Sequence, residues 1–134
     1  TALGDASQAT AFQSTALGAL AKATAQNATA VGEKAEASGT QSTAIGRQSL
    51  ASQSGTTALG TIAKATGVRS TALGVQANAG GRCSIALGSW SVASGQFSQA
   101  IGANATASGT GAMSEMLPTA QAPSWKLIYR VQVL

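Results

Sequence analysis

Side chains that could carry out catalysis are few in this chain and are widely separated. There is no histidine, and of the four acidic residues only Glu33 and Glu36 are close in sequence. Acid–base catalysis needs titratable groups positioned to transfer protons. This pair falls at a corner and in a strand of the repeat described below, where we interpret both carboxylates as solvated. We therefore predict that the chain is not an enzyme.

The single cysteine, Cys83, offers neither an internal disulfide nor a metal site. One thiol cannot crosslink the chain to itself, and zinc sites need several Cys or His ligands. The glycine-rich corners lack the Gly-Lys-Ser/Thr sequence of a phosphate-binding loop. We expect no cofactor and no metal, and we interpret Cys83 as a passive thiol.

The composition also excludes several classes of protein. Ala, Gly, Ser and Thr make up 77 of the 134 residues, and only five are aromatic, which is too little bulk for the core of an ordinary α/β enzyme. The net charge is +4, but the basic residues are dispersed, so we predict no nucleic-acid partner. No segment approaches the ~20 apolar residues of a membrane span. The chain starts at Thr1 rather than Met, which we interpret as a fragment or a processed chain.

A repeat of 14 residues organises residues 1–112, which contain eight copies. In each copy, alanine and an aliphatic residue precede a glycine, and a second alanine follows five residues later. We predict two short strands per copy, such as Thr15 to Gly18 and Ala21 to Thr24, joined by glycine-rich corners. Stacked copies form an all-β parallel β-roll, or solenoid. The predicted turn glycines are Gly18, Gly32, Gly46, Gly60, Gly74, Gly88 and Gly102.

Alternation along the second strand predicts which side chains face inward. One of its positions holds Lys22, Glu36 and Lys64 in different copies, so this position faces solvent. Its small neighbours then face the interior, opposite a small pair from the first strand, for example Ala16 and Gly18. The predicted interior alanines are Ala16, Ala30, Ala44, Ala58, Ala72, Ala23, Ala37, Ala51, Ala65 and Ala93.

The aliphatic column then points outward and forms one continuous stripe. Such a stripe is typical of an interface, because leaving it in water forgoes on the order of 10–20 kcal/mol per chain. The pattern predicts a homo-oligomeric fibre without giving the number of chains. In the alternative, these side chains fill the interior of a monomer, but the alanines then have no reason to stay small. The predicted interface residues are Leu3, Leu17, Val31, Ile45, Leu59, Leu73, Leu87 and Ile101.

A few outward residues are candidates for binding a partner. Trp90 and Phe97 fall at opposite corners of one coil, and Lys22 and Lys64 share the variable outward position. Exposed aromatic residues often anchor a partner. The stacked threonines suggest ice binding as an alternative, but such faces usually carry two threonine ranks. Here the second rank is aliphatic.

The sequence from Ser42 to Ser52, Ser-Thr-Ala-Ile-Gly-Arg-Gln-Ser-Leu-Ala-Ser, resembles the head repeats of trimeric autotransporter adhesins, the YadA-like heads. The resemblance covers residues 1 to about 112 and includes Ser70 to Ala79, Ser84 to Ser94 and Ser98 to Ser108. It implies a left-handed β-roll, an intertwined homotrimer with the aliphatic column at its interface, and attachment of a bacterial cell surface to host or matrix surfaces. It also implies an extracellular location at the outer membrane.

Two features depart from the family pattern. Residues 113–134 lack the family's neck, stalk and membrane barrel, and Ser124 to Leu134 alternate as in a strand, which we expect to cap the roll or to begin another domain. Exported adhesins also tend to lack a free thiol such as Cys83. Similar repeats occur in bacteriophage tail fibres, which assemble in a reducing cytosol. The alternative function is therefore a virion fibre that attaches to a host surface.

Overall fold

The computed structural model describes residues 1–115, which form a β-roll built from two parallel sheets. The nine strands of the first sheet are β1 (Ala2–Leu3), β3 (Thr15–Leu17), β5 (Thr29–Val31), β7 (Thr43–Ile45), β9 (Thr57–Leu59), β11 (Thr71–Leu73), β13 (Ile85–Leu87), β15 (Gln99–Ile101) and β17 (Met113–Glu115). The eight strands of the second sheet are β2 (Gln8–Ala9), β4 (Lys22–Ala23), β6 (Glu36–Ala37), β8 (Leu50–Ala51), β10 (Lys64–Ala65), β12 (Asn78–Ala79), β14 (Val92–Ala93) and β16 (Thr106–Ala107). The predicted all-β parallel solenoid with a 14-residue coil is confirmed.

Adjacent coils stack in register, so that equivalent residues form columns along the roll. Thr15 pairs with Thr29, and Ala16 pairs with Ala30. Hydrogen bonds between coils continue around the corners, where the Leu20 N–H donates to the Asp5 carbonyl at 2.8 Å. Strands of two or three residues are stable here because every level of the backbone is bonded to the level above or below it.

The interior of the described roll is filled by small side chains, mostly alanine with some serine. All ten alanines predicted to line it are fully buried. The monomer alternative requires the aliphatic column to fill the interior. Leu59, a member of that column, is instead 39% exposed. One detail of the first strand differs from the prediction that Ala16 and Gly18 form the inward pair. Ser14 is buried, whereas Gly18 is half-buried at the start of a corner.

The predicted turn glycines all have a positive φ, between 113° and 136°. At Gly60, where φ is 136°, a Cβ atom would lie 2.5 Å from the carbonyl oxygen of Gly74 in the next coil. Any side chain here is excluded both by the backbone conformation and by the stacking of the coils. The lack of a side chain at these glycines therefore allows successive corners to approach closely.

The first sheet extends beyond the last full repeat. Strand β17 pairs with β15, with Ser114 opposite Ala100 and Glu115 opposite Ile101. Met113, Ser114 and Glu115 thus repeat the Thr-Ala-Leu positions without the glycine that follows them elsewhere. The strand expected at Ser124 to Leu134 lies outside the described residues.

Candidate assembly interface and binding surface

The outer face of the first sheet carries a continuous column of aliphatic side chains. Leu17 is 42% exposed and Leu73 is 37% exposed, so each keeps a large part of its side chain open in the single chain. The strand register places Leu59 on Leu73 and Leu87 on Ile101. We call this column the aliphatic stripe, and it comprises Leu3, Leu17, Val31, Ile45, Leu59, Leu73, Leu87 and Ile101.

The second outward column of the same sheet is uncharged as well. It consists of threonine in five successive strands from β3 to β11 and then of Ile85, Gln99 and Met113. Glu115, at the end of β17, is the first charged side chain on this face within the strands of the described chain. Burying this face requires little desolvation of charge, which is costly at interfaces. It is therefore suited to packing against another apolar surface.

The outer face of the second sheet is chemically mixed. We call it the variable face, and its outward column is Gln8, Lys22, Glu36, Leu50, Lys64, Asn78, Val92 and Thr106. Lys22 and Lys64, both candidates from the sequence, are exposed on it. At the neighbouring corner, Lys34 Nζ lies 3.6 Å from Glu33 Oε1, and both side chains are about half exposed. Exposed ion pairs of this kind contribute little to stability. The charged and polar side chains of the variable face make that face suited to contact with water.

The two aromatic candidates lie at opposite corners with nearly the same exposure. Trp90 is 53% exposed and Phe97 is 52% exposed, and both have a φ of 57°. The structure distinguishes them by their contacts, since Trp90 Nε1 donates a hydrogen bond to Gln76 Oε1 at 2.7 Å. Leu20 and Ile62, five and two coils closer to the N-terminus, are the other large apolar residues in the corner column of Trp90.

The corners contain a feature that the sequence pattern does not reveal. Fourteen non-glycine residues have a positive φ, at two columns of the roll. One column includes Ile62 and Trp90, and the other includes Cys83 and Phe97. Their residue types range from Lys to Trp, so composition carries no signal for this conformation. The backbone N–H groups of these residues bond to the preceding coil, as at Trp90, whose N–H donates to the Val75 carbonyl at 2.9 Å.

The acidic residues and the cysteine predicted to be passive are dispersed over the described part of the roll. No group of three or more Cys, Asp or Glu side chains within residues 1–115 could hold a metal ion. Glu33 and Glu36 are both exposed, and Cys83 is free and half-buried. No helix in this part of the chain is long and apolar enough to cross a membrane.

Comparison with known families gives one consistent result. The profile of the YadA head domain repeat, which spans two copies, matches residues 1–21, 9–35, 23–49, 37–63, 65–91, 79–105 and 93–114. Several of these matches begin 14 residues apart, as the coils do. No curated protein matches the chain. The family assignment therefore rests on the repeat itself and covers nearly all of the described residues.

Proposed function

The chain belongs to the family of YadA head domain repeats, and from this premise we propose that it forms a homotrimeric head, which attaches a bacterial surface adhesin to host or matrix surfaces. The family is a family of structural adhesin domains rather than of enzymes, and its heads are homotrimers in general. The observation that carries the proposal is the uncharged aliphatic stripe on the first sheet. It gives this chain an apolar surface along the whole described roll.

The stripe supports assembly for an energetic reason. Its members are still partly exposed, and most are between 37% and 42% exposed. At about 1.5–3 kcal/mol for each fully buried aliphatic side chain, covering what is left open contributes on the order of 5–10 kcal/mol per chain. That free energy offsets part of the free-energy cost of the translational and rotational freedom lost on association.

Register supports a rotational arrangement of the chains. The coils stack with the same 14-residue offset from β1 to β17. Parallel chains around an axis along the roll would place each level of the stripe beside the same level of its neighbours. The contact at one coil then repeats at every other coil without a change of register.

Attachment would use the surfaces that assembly leaves open. On the variable face, outward positions need only to face water, so their side chains can differ between coils while the alanines behind them stay constant. A trimer would present each such side chain three times, which raises the apparent affinity for a surface that bears many ligands. Candidate contact residues are Lys22, Lys64, Trp90 and Phe97.

The mass of the native particle tests the assembly directly. We expect light scattering and native mass spectrometry to give three times the chain mass of 13.0 kDa, independent of protein concentration over the micromolar range. A particle of one or two chains would contradict the proposed trimer. Beads coated with the trimer should then bind to immobilised host matrix, and beads coated with unfolded chain should not.

A virion fibre is the second candidate, and Cys83 is the observation that favours it. The thiol is free and half-buried in the described chain, a state that suits assembly in a reducing cytosol. Antibodies against the roll distinguish the two locations. Labelling of intact bacterial cells supports the adhesin, whereas labelling confined to released virions supports the fibre.

A further inference from the structure

One corner of the roll combines an exposed tryptophan with uncharged polar side chains. We call this area the Trp90 patch, and it comprises Val75, Gln76, Asn78, Ser89, Trp90 and Asn104. These residues come from three successive coils and lie at the same corner or on the adjoining strand, since Asn78 is in β12. Gln76, Trp90 and Asn104 occupy one column, so they follow each other along the roll.

The indole of Trp90 is held in place while much of its surface stays open. Its Nε1 donates to Gln76 Oε1 at 2.7 Å, which satisfies its one polar atom. The side chain is nevertheless 53% exposed. A ring that is already positioned loses little conformational entropy when a ligand packs on it. Trp90 therefore has the properties of a preformed stacking platform.

The patch combines the exposed apolar side chain of Val75 with polar side chains, and none of its six residues is charged. Asn104 is exposed in the next coil, and Asn78 and Ser89 are half-buried beside the corner. The same corner in earlier coils is different, since it holds Glu33 and Lys34. Lys64 pairs with Asn78 on the side away from Trp90, so it stands outside the patch. A ligand with a phosphate, sulfate or carboxylate packed on Trp90 would find no guanidinium or ammonium group within the patch to pair with.

We propose that the Trp90 patch binds neutral oligosaccharides that contain hexose units. One face of a hexopyranose is lined by C–H groups, which pack on an indole ring. Its hydroxyl groups both donate and accept, as do the amides and hydroxyl of Asn78, Ser89 and Asn104. The inference rests on the proposed function, because it names the class of ligand that an adhesin-type head of this sequence would bind.

Saturation-transfer NMR and calorimetry on the full chain in its native oligomer test the site, with lactose and cellobiose as probes. We expect binding in the millimolar range to the wild type. Trp90→Ala should weaken it at least about tenfold, as truncation of a buried anchor does. Trp90→Phe keeps an aromatic ring but loses the hydrogen bond to Gln76, so its effect should be smaller.

Phe12→Ala is the control, because Phe12 is another aromatic residue at a corner of the roll, is 69% exposed and lies several coils away from the Trp90 patch. Its sugar binding should equal that of the wild type. Oligomer mass and the midpoint of thermal unfolding are measured for every variant, since a purely structural Trp90 would change these and not sugar binding.

Four outcomes overturn the proposal. They are no binding of either sugar to a wild type whose oligomer survives Trp90→Ala, equal binding by wild type and Trp90→Ala, equal losses in Trp90→Ala and Phe12→Ala, and loss of the oligomer in Trp90→Ala with no sugar bound to the wild type. The last would assign Trp90 to a contact between chains. A trimer that binds neither sugar leaves the proposed head function intact, whereas a monomer that binds them contradicts the trimer and keeps the sugar site.

Discussion

The two sheets of the roll have the same inner surface and different outer surfaces. Inward, Ala72 of the first sheet and Ala65 of the second are both fully buried. Outward, the first sheet carries Leu, Ile or Val at every level of the aliphatic stripe, whereas the variable face carries side chains as different as Lys64 and Val92. Both sheets thus present small side chains to the interior, but only the first sheet presents an aliphatic column to the outside.

This difference separates what folding needs from what assembly needs. The alanines are explained within one chain, because the narrow interior has room only for small side chains. The stripe has no such explanation, since Leu59 and Leu73 remain 39% and 37% exposed in the single chain. A partner that covers the first sheet accounts for the aliphatic side chains, and the variable face needs none.

The largest expected effect comes from placing charge on the stripe. Leu59→Asp combined with Leu73→Asp should convert the trimer to monomers, because each trimer would then bury six carboxylates in an apolar contact. Leu50→Asp combined with Asn78→Asp is the control, since it puts the same number of charges on the variable face. Light scattering measures both masses. An intact trimer in the stripe variant, or dissociation of both variants, would show that the sheets do not differ in this way.

The next prediction reverses the comparison by giving the second sheet a stripe of its own. Lys22→Leu, Glu36→Leu and Lys64→Leu together, with the native Leu50 between them, create four stacked aliphatic levels. Exposed apolar patches of that kind cause association. We expect trimers to form larger particles in sedimentation velocity, while the matched glutamine variant of the same three positions stays trimeric. If both variants remain trimers, an aliphatic column alone is insufficient for assembly.

A third prediction concerns the corners that join the two sheets. Gly60→Ala should lower the free energy of unfolding by several kcal/mol, on the order of 3, because its Cβ would lie 2.5 Å from the Gly74 carbonyl oxygen. Gly55→Ala is the control, with a φ of 68° and only the Arg69 side chain near, at 3.4 Å. It should cost roughly 1 kcal/mol, the ordinary penalty for a left-handed alanine. Equal losses in chemical denaturation would contradict the role assigned to coil stacking at the corner after the first sheet.

Periodicity predicted the columns of the fold but not the conformation of the corners. The eight glycines define the coil, and the charged residues at Lys22 and Glu36 identify the outward position and hence the alanine interior. Nothing in the sequence indicates that Trp90 has a positive φ, because hydrogen bonding between coils imposes it on whatever residue is there. The contact between Trp90 and Gln76 was equally hidden, since it depends on two side chains that are 14 residues apart.

The buried serines show the same limit of the sequence, because their hydroxyl groups differ in hydrogen bonding. Alternation places Ser84 on the same side as Ala86, whereas its polarity argues against burial, and it is fully buried before the first sheet. Ser91 is buried before the second sheet, and its Oγ donates to the Gly88 carbonyl at 2.8 Å. Ser84 Oγ has no hydrogen-bond partner among the described residues. Ser84 and Ser91 are therefore buried alike but differ in whether the hydroxyl group is hydrogen-bonded.

The smallest expected effect tests this difference with one pair of substitutions. Ser91→Ala should lower the free energy of unfolding by about 0.5–1 kcal/mol, because a formed hydrogen bond is lost. Ser84→Ala should be neutral or slightly stabilising, since it removes a buried hydroxyl that lacks a partner. Alanine fits both positions, as Ala28 and Ala77 occupy the equivalent places in other coils and are fully buried. Thermal unfolding at one protein concentration compares the two, and a larger loss for Ser84→Ala would mean that its hydroxyl contributes to the native interior after all.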